Sequence, residues 1–244
     1  MKILISQHTP SNLAPYEVLK SKFGSEVEFK PFFVIEPLSA KEFRAERINL
    51  PDYTAIVFSS RHAIDAYFKL CEEMRFKVPE TMKYFCTTEA VAMYLQKHIV
   101  YRKRKIFFGD GTPASVVSLI GPKHKGEKFL IATNAGANSD AYTTLFDKAQ
   151  LEYSVGVLTK PVSMDLHEVE IGSYDMIVMY NPYDVTSLYE NFPDFKQGDI
   201  KMVSFGRSVV GAMEDAGLEI CVKAPTAEAT SVGKAIELYL ESNK

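Results

Sequence analysis

Four short segments recur in the same order far apart along the chain, and this repetition constrains its fold more than any single motif. Lys2-Ile3-Leu4-Ile5 returns as Lys128-Phe129-Leu130-Ile131, 126 residues on. Tyr53-Thr54-Ala55-Ile56-Val57-Phe58 returns as Tyr174-Asp175-Met176-Ile177-Val178-Met179, 121 residues on. Lys83-Tyr84-Phe85-Cys86 matches Lys201-Met202-Val203-Ser204 at 118, and Ser115-Val116 matches Ser231-Val232 at 116. The offset falls steadily, as small loop deletions between two copies of one unit would make it. A repeat of this length reads as a degenerate tandem duplication.

Each half alternates short apolar runs with amphipathic stretches. The runs predict strands near 2–6, 26–35, 54–59, 83–86 and 105–108, and again near 127–132, 152–159, 174–180, 200–205 and 219–223. Ala63, Ala66, Tyr67 and Leu70 fall at helical spacing, as do Val209, Val210, Met213 and Ala216. A last helix is expected over about 228–242. Strands alternating with helices imply parallel sheets covered on both faces, one sheet per repeat. Two proline-bracketed extended segments, 29–37 and 153–161, are the candidates for strands that leave their sheet, because proline holds the preceding residue extended.

Composition narrows the function classes. Twenty-eight Lys and Arg stand against 31 Asp and Glu, so a net charge of -3 offers no long-range pull on nucleic acid. An anionic ligand must be held by local donors. No apolar run approaches the roughly 20 residues of a membrane span, and Met1-Lys2-Ile3-Leu4-Ile5 is too short for a signal-peptide core. The expected location is the cytoplasm. Cys71, Cys86 and Cys221 form no C-x-x-C pair and read as reduced, mostly buried thiols. The five histidines lack metal-ligand spacing, no phosphate-loop or dinucleotide motif is present, and no nucleophile elbow occurs. Neither a metal nor a cofactor is expected.

In open parallel sheets ligands bind outside the carboxyl ends of the strands. The turns there run Ser6-Gln7-His8-Thr9, Ser59-Ser60-Arg61-His62, Thr87-Thr88, Gly109-Asp110-Gly111-Thr112, Thr133-Asn134-Ala135-Gly136, Tyr180-Asn181-Pro182-Tyr183, Gly206-Arg207-Ser208 and Pro225-Thr226. Ser, Thr and Asn at such places are ordinary helix caps. Taken together, helix N-termini with free N–H groups suit a ligand bearing several carboxylates, with the sites facing a common cleft. Arg61, His62, Arg207 and His8 would add charge.

The order of these features resembles the uroporphyrinogen-III synthase family over essentially the whole chain. The resemblance rests on Ile56-Val57-Phe58-Ser59-Ser60-Arg61-His62, where the family has a strand ending in Phe-Thr-Ser. It rests also on Gly206-Arg207-Ser208 for a Gly-x-Thr turn and on Ala224-Pro225-Thr226 for a Pro-Thr turn. Departures are Met179-Tyr180-Asn181 in the second copy and Val157-Leu158-Thr159-Lys160, where the family carries a tyrosine.

The resemblance implies two three-layer α/β domains joined by two extended linker strands. The first domain would hold 1–34 and 163–244, the second 38–158, with crossings at 35–37 and 159–162. It implies a lyase that takes hydroxymethylbilane, a linear tetrapyrrole with eight carboxylates, and closes it with ring D inverted. The implied substrate contacts are His8, Ser59, Ser60, Arg61, His62, Thr88, Asn134, Asn181, Gly206, Arg207, Ser208 and Thr226. Tyr180 and Tyr183 are the candidate proton donors in place of the missing tyrosine. The partner is this small polycarboxylate, with no nucleic acid and no membrane, and nothing in the sequence requires more than a monomer. Two rivals are a non-catalytic tetrapyrrole- or anion-binding module of the same fold and a bilobal sensor of a small polar ligand.

Overall fold

Runs of four or five apolar residues become strands buried on both faces, and the stretches between them become the helices that cover those faces. The computed structural model describes residues 1–243. It comprises two compact units, residues 1–34 with 162 onward, and residues 35–161.

Unit 1 holds β1 (Lys2–Ile5), β2 (Glu26–Phe29), β9 (Met176–Met179), β10 (Lys201–Phe205) and β11 (Ile220–Ala224), in the order β11-β10-β9-β1-β2 and all parallel. Alternation along the strands divides the core. Ile3, Ile5, Met176, Val178 and Val203 face α1 (Ala14–Phe23) and α9 (Val232–Ser242), meeting Leu19, Val232 and Ile236. Leu4, Ile177, Met179 and Met202 face α7 (Pro182–Asn191) and α8 (Arg207–Asp215), meeting Val185, Leu188, Val209 and Met213. Each such side chain taken fully from water stabilises the unit by roughly 1.5–3 kcal/mol.

Unit 2 carries β4 (Ala55–Phe58), β5 (Lys83–Cys86), β6 (Ile106–Phe108) and β7 (Lys128–Asn134), with β3 (Phe33–Pro37) and β8 (Glu152–Ser163) at one side. The order is β3-β8-β7-β4-β5-β6, and the pairs from β8 to β6 are parallel. Ile56, Phe58, Tyr84, Cys86 and Leu130 pack under α3 (Arg61–Glu73) and α4 (Glu89–Tyr94), with Phe43 of the short α2 (Ala40–Phe43). Ala55, Val57, Phe85, Phe129 and Ile131 pack under α5 (Pro113–Ile120) and α6 (Asp140–Lys148). The segments matched in the sequence occupy matching places: β1 and β7, β9 and β4, β10 and β5 stand in the same relative order in their sheets.

The unit boundaries fall inside β3 and β8. Leu38 N–H donates to the Leu158 carbonyl at 2.9 Å and Met164 N–H to the Phe32 carbonyl at 2.8 Å, so the two segments run antiparallel. A polar stripe on α7 holds their unit 1 ends. Ser187 Oγ donates to the Phe32 carbonyl, Asn191 Nδ2 donates to the Met164 carbonyl at 2.9 Å, and Asn191 Oδ1 accepts from Leu166 N–H at 2.9 Å.

Three sequence expectations are corrected. The strand expected over 26–35 is two strands: Lys30 N–H makes the last bond to β1, at the Ile5 carbonyl, and Pro31 has no N–H to continue the ladder. The last helix begins at Val232, where Ser231 caps it, rather than at 228. Cys71 and Cys86 are buried, whereas Cys221 lies exposed on the edge strand β11. Among the described residues no helix is long and apolar enough to cross a membrane.

Candidate functional site

Parallel strands bring their carboxyl ends to one edge of each sheet, and every candidate residue lies on such an edge. On unit 1 the β9–α7 turn carries Tyr180, Asn181 and Tyr183, and the neighbouring β10–α8 turn carries Gly206, Arg207 and Ser208. The two turns touch: the Tyr180 ring packs 5.2 Å from that of Phe205. Gly206 N–H donates to the Ala224 carbonyl at 2.7 Å, which brings the turn with Thr226 alongside. His8, two residues beyond Ser6 at the end of β1, is exposed on the same edge.

The structure separates helix starts that a side chain caps from one that none caps. Asn181 caps α7, its Oδ1 accepting from Tyr183 N–H at 2.9 Å, and Asp184 completes a capping box. Thr226 closes its own turn, its Oγ1 accepting from Ala229 N–H at 3.1 Å. Because α9 starts only at Val232, Thr226 does not cap it. In contrast, the N-cap residue of α8 is Gly206, which has no side chain to cap the helix. Among the described α-helices, α8 alone has a first turn with no side-chain acceptor. Arg207 and Ser208 there are exposed, and their side chains make no hydrogen bond or ion pair among the described residues. A positive helix end with free N–H groups, a guanidinium and a hydroxyl is an anion site.

The two tyrosines differ. Tyr180 is half-buried and faces Tyr16 of α1, and burial foremost, with Tyr16 next, pushes its phenol up from the ordinary value. Tyr183 packs edge-on against Phe33 at 5.4 Å, and its hydroxyl has no partner among the described residues.

On unit 2 the candidates line β5, β4 and β7. Ser60 caps α3, its Oγ accepting from Ala63 N–H at 3.1 Å, and Thr88 caps α4, its Oγ1 accepting from Val91 N–H at 3.3 Å. A capping hydroxyl accepts and still keeps its own proton to donate. The Ser59 side chain is exposed, while its carbonyl accepts from Thr87 Oγ1 at 3.3 Å. Arg61 lies over the ring of Tyr94 at 5.4 Å, and His62 is exposed. Asn134 Oδ1 accepts from the buried Thr159 hydroxyl at 3.2 Å, which ties the end of β7 to β8 and leaves the Asn134 amide N–H groups to donate. No group of His, Cys, Asp or Glu able to hold a metal occurs among the described residues.

A model of the family described as uroporphyrinogen-III synthase HemD matches residues 15–232. The chain belongs to the uroporphyrinogen-III synthase family. Its fold is that of solved members. The uroporphyrinogen-III synthetase of Helicobacter pylori 26695 is 12% identical, with 99% of each chain covered and a TM-score of 0.57. A mutant uroporphyrinogen III synthase of Thermus thermophilus is 14% identical, with 99% of each chain covered and a TM-score of 0.52. No curated protein sequence matches the chain. The family's activity is that of a lyase in heme biosynthesis.

Sequence reasoning missed Asp184, which is fully buried at the head of α7. Its Oδ2 accepts from Ser6 Oγ at 2.7 Å, Tyr180 N–H at 2.8 Å and Asn181 N–H at 2.9 Å. Burial pushes its carboxyl above the ordinary value against the pull of these three donors. The one signal in the sequence was an Asn three residues before an Asp at a helix start.

Proposed function

We propose that this chain converts hydroxymethylbilane to uroporphyrinogen III without a cofactor, in the cytoplasm. The observation that carries the proposal is the uncapped start of α8. Of the helix starts on the two strand edges, it is the one that offers backbone N–H groups, Arg207 and the Ser208 hydroxyl together. These donors bind a carboxylate of the substrate. The hydroxyls of Ser59, Ser60, Thr88 and Thr226, the amide of Asn134, and the charges of Arg61, His62 and His8 are the further donors for its other carboxylates, while Asn181 serves as the cap of α7. In the same reading each compact unit is a domain, and β3 and β8 are the two connections.

The reaction loses one water and transfers no electrons to an acceptor, so its chemistry asks for acid catalysis and geometry. The terminal hydroxyl of the substrate leaves as water once protonated, which generates an electrophilic azafulvene. Ring D is attacked at its substituted carbon, the spiro intermediate fragments, and closure follows with ring D inverted. Tyr183 is the proton donor in this scheme. Its hydroxyl is unengaged, whereas that of Tyr180 faces Tyr16 and is held as a weaker acid. Holding the reacting carbons at near-attack distance is the larger contribution, on the order of 7–11 kcal/mol in ideal cases. Without that restraint the bilane closes uninverted. The test is product analysis on hydroxymethylbilane made in situ, comparing wild type with Arg207→Ala and Ser208→Ala. Isomer III formed by the wild type with a raised KM in the variants supports the proposal. Turnover with unchanged KM in both variants removes α8 from it.

A further inference from the structure

The first turn of α7 accounts for its own amides without help from a ligand. Tyr180 and Asn181 donate to Asp184 Oδ2, and Pro182 has no N–H. Tyr183 donates to Asn181 Oδ1, and the Asp184 N–H donates to the Asn181 carbonyl at 2.9 Å. Ser6 Oγ, at the end of β1, adds a third donor to the same carboxylate oxygen. This is the hydrogen-bonding pattern that a bound carboxylate makes at a helix N-terminus. Here the carboxylate comes from the chain. It is 0% exposed, and its second oxygen, Oδ1, is buried with no partner among the described residues. At α8, on the next strand of the same sheet, the first-turn amides meet no such group.

We propose that Asp184 is a built-in carboxylate that fills the anion site of α7, so that on this edge of unit 1 a substrate carboxylate is taken at α8. Asp184 is thus a specificity-determining residue. A substrate with eight chemically similar carboxylates can settle in more than one register, and closing one of two adjacent anion sites removes a competing one. An external carboxylate at α7 would find the backbone N–H groups of Tyr180, Asn181 and Tyr183 already engaged and the place of its own oxygen taken by Asp184 Oδ2. The inference takes the class of ligand from the proposed function, while the filling of α7 does not depend on the reaction.

The test follows backbone amides by ¹H–¹⁵N NMR on the full chain, with propionate as the probe because it matches a substrate side chain. In the wild type, propionate is expected to shift Arg207, Ser208 and Val209 and to leave Tyr180, Asn181 and Tyr183 in place. In Asp184→Ala, formate is expected to shift Tyr180 and Asn181 and to raise the melting temperature saturably, which chloride at equal ionic strength does not do. Asp184→Asn keeps an acceptor oxygen for the three donors and is expected to retain the wild-type pattern at Tyr180 and Asn181. Should Asp184→Ala not fold, the wild-type and Asp184→Asn titrations decide. Propionate shifts at Tyr180 or Asn181 in the wild type overturn the inference, as does a folded Asp184→Ala that ignores formate. Silence at Arg207, Ser208 and Val209 overturns its α8 half. A failure of synthase activity alone would leave the α7 pattern unchanged, so the two readings fail separately.

Discussion

Replacing Gly206 with alanine probes the turn that opens α8. Gly206 has φ 119° and ψ 150°, a region that side-chain-bearing residues occupy only at a cost of about 1–3 kcal/mol. Space is not the obstacle, since a Cβ built there meets nothing nearer than the Tyr180 carbonyl oxygen at 3.7 Å. The whole effect is therefore torsional. Asparagine, which tolerates the left-handed helical region, gains no relief at this ψ. A variant that keeps the turn loses stability. One that relaxes φ swings the 206–207 peptide about the Gly206 N–H, which stays on the Ala224 carbonyl, and moves the Arg207 amide. Urea unfolding is expected to show Gly206→Ala and Gly206→Asn both destabilised by about 1–3 kcal/mol. Melting should fall by about 2–4 °C for each kcal/mol in a chain of this size. The KM for hydroxymethylbilane is expected to rise. Stability within about 0.5 kcal/mol of wild type, with KM unchanged, would refute the reasoning.

Three further outcomes are expected. Arg207→Ala removes a charge-assisted bond to a substrate carboxylate and should raise KM about tenfold with kcat within about twofold, measured in a coupled assay. Tyr183→Phe should lower kcat by about 10²-fold or more, the lower end of general acid catalysis, while Tyr180→Phe keeps most of it; equal effects would dissolve the distinction drawn between them. His124 is buried between Phe85 and Phe107, and burial foremost, then the charges of Lys83 and Lys123, push its imidazole below the ordinary value. The fold thus prefers neutral His124. Its contribution is complete above the unfolded value of about 6.5 and is lost as pH falls through the lower folded value. His124→Leu should flatten that part of the stability profile, and identical profiles in urea titrations at several pH values would contradict the assignment.

Much of the fold was legible because parallel strands buried on both faces must be apolar throughout. Ala55-Ile56-Val57-Phe58 is such a run, and the edge expected at 54–59 lies within a residue of β4. The break between β2 and β3 was signalled by Pro31, yet apolar residues on both sides of it read as one strand. The turns were legible as Ser, Thr and Asn at helix starts. What they do was not, since a cap such as Ser60 and a free donor such as Ser208 have the same chemistry in the sequence. The difference lies in whether an acceptor sits three residues back, which Gly206 lacks and Ser60 supplies. Asp184 was illegible for another reason: its partner Ser6 lies 178 residues away, and only the pairing of β1 with β9 brings them together.

The most direct test supplies hydroxymethylbilane generated in situ to the folded wild-type protein, oxidises the products, and separates the uroporphyrin isomers. The account predicts a clear excess of isomer III over a control containing heat-denatured protein. Isomer I alone, from protein shown to be folded by circular dichroism, would contradict it and leave a tetrapyrrole-binding module without catalysis.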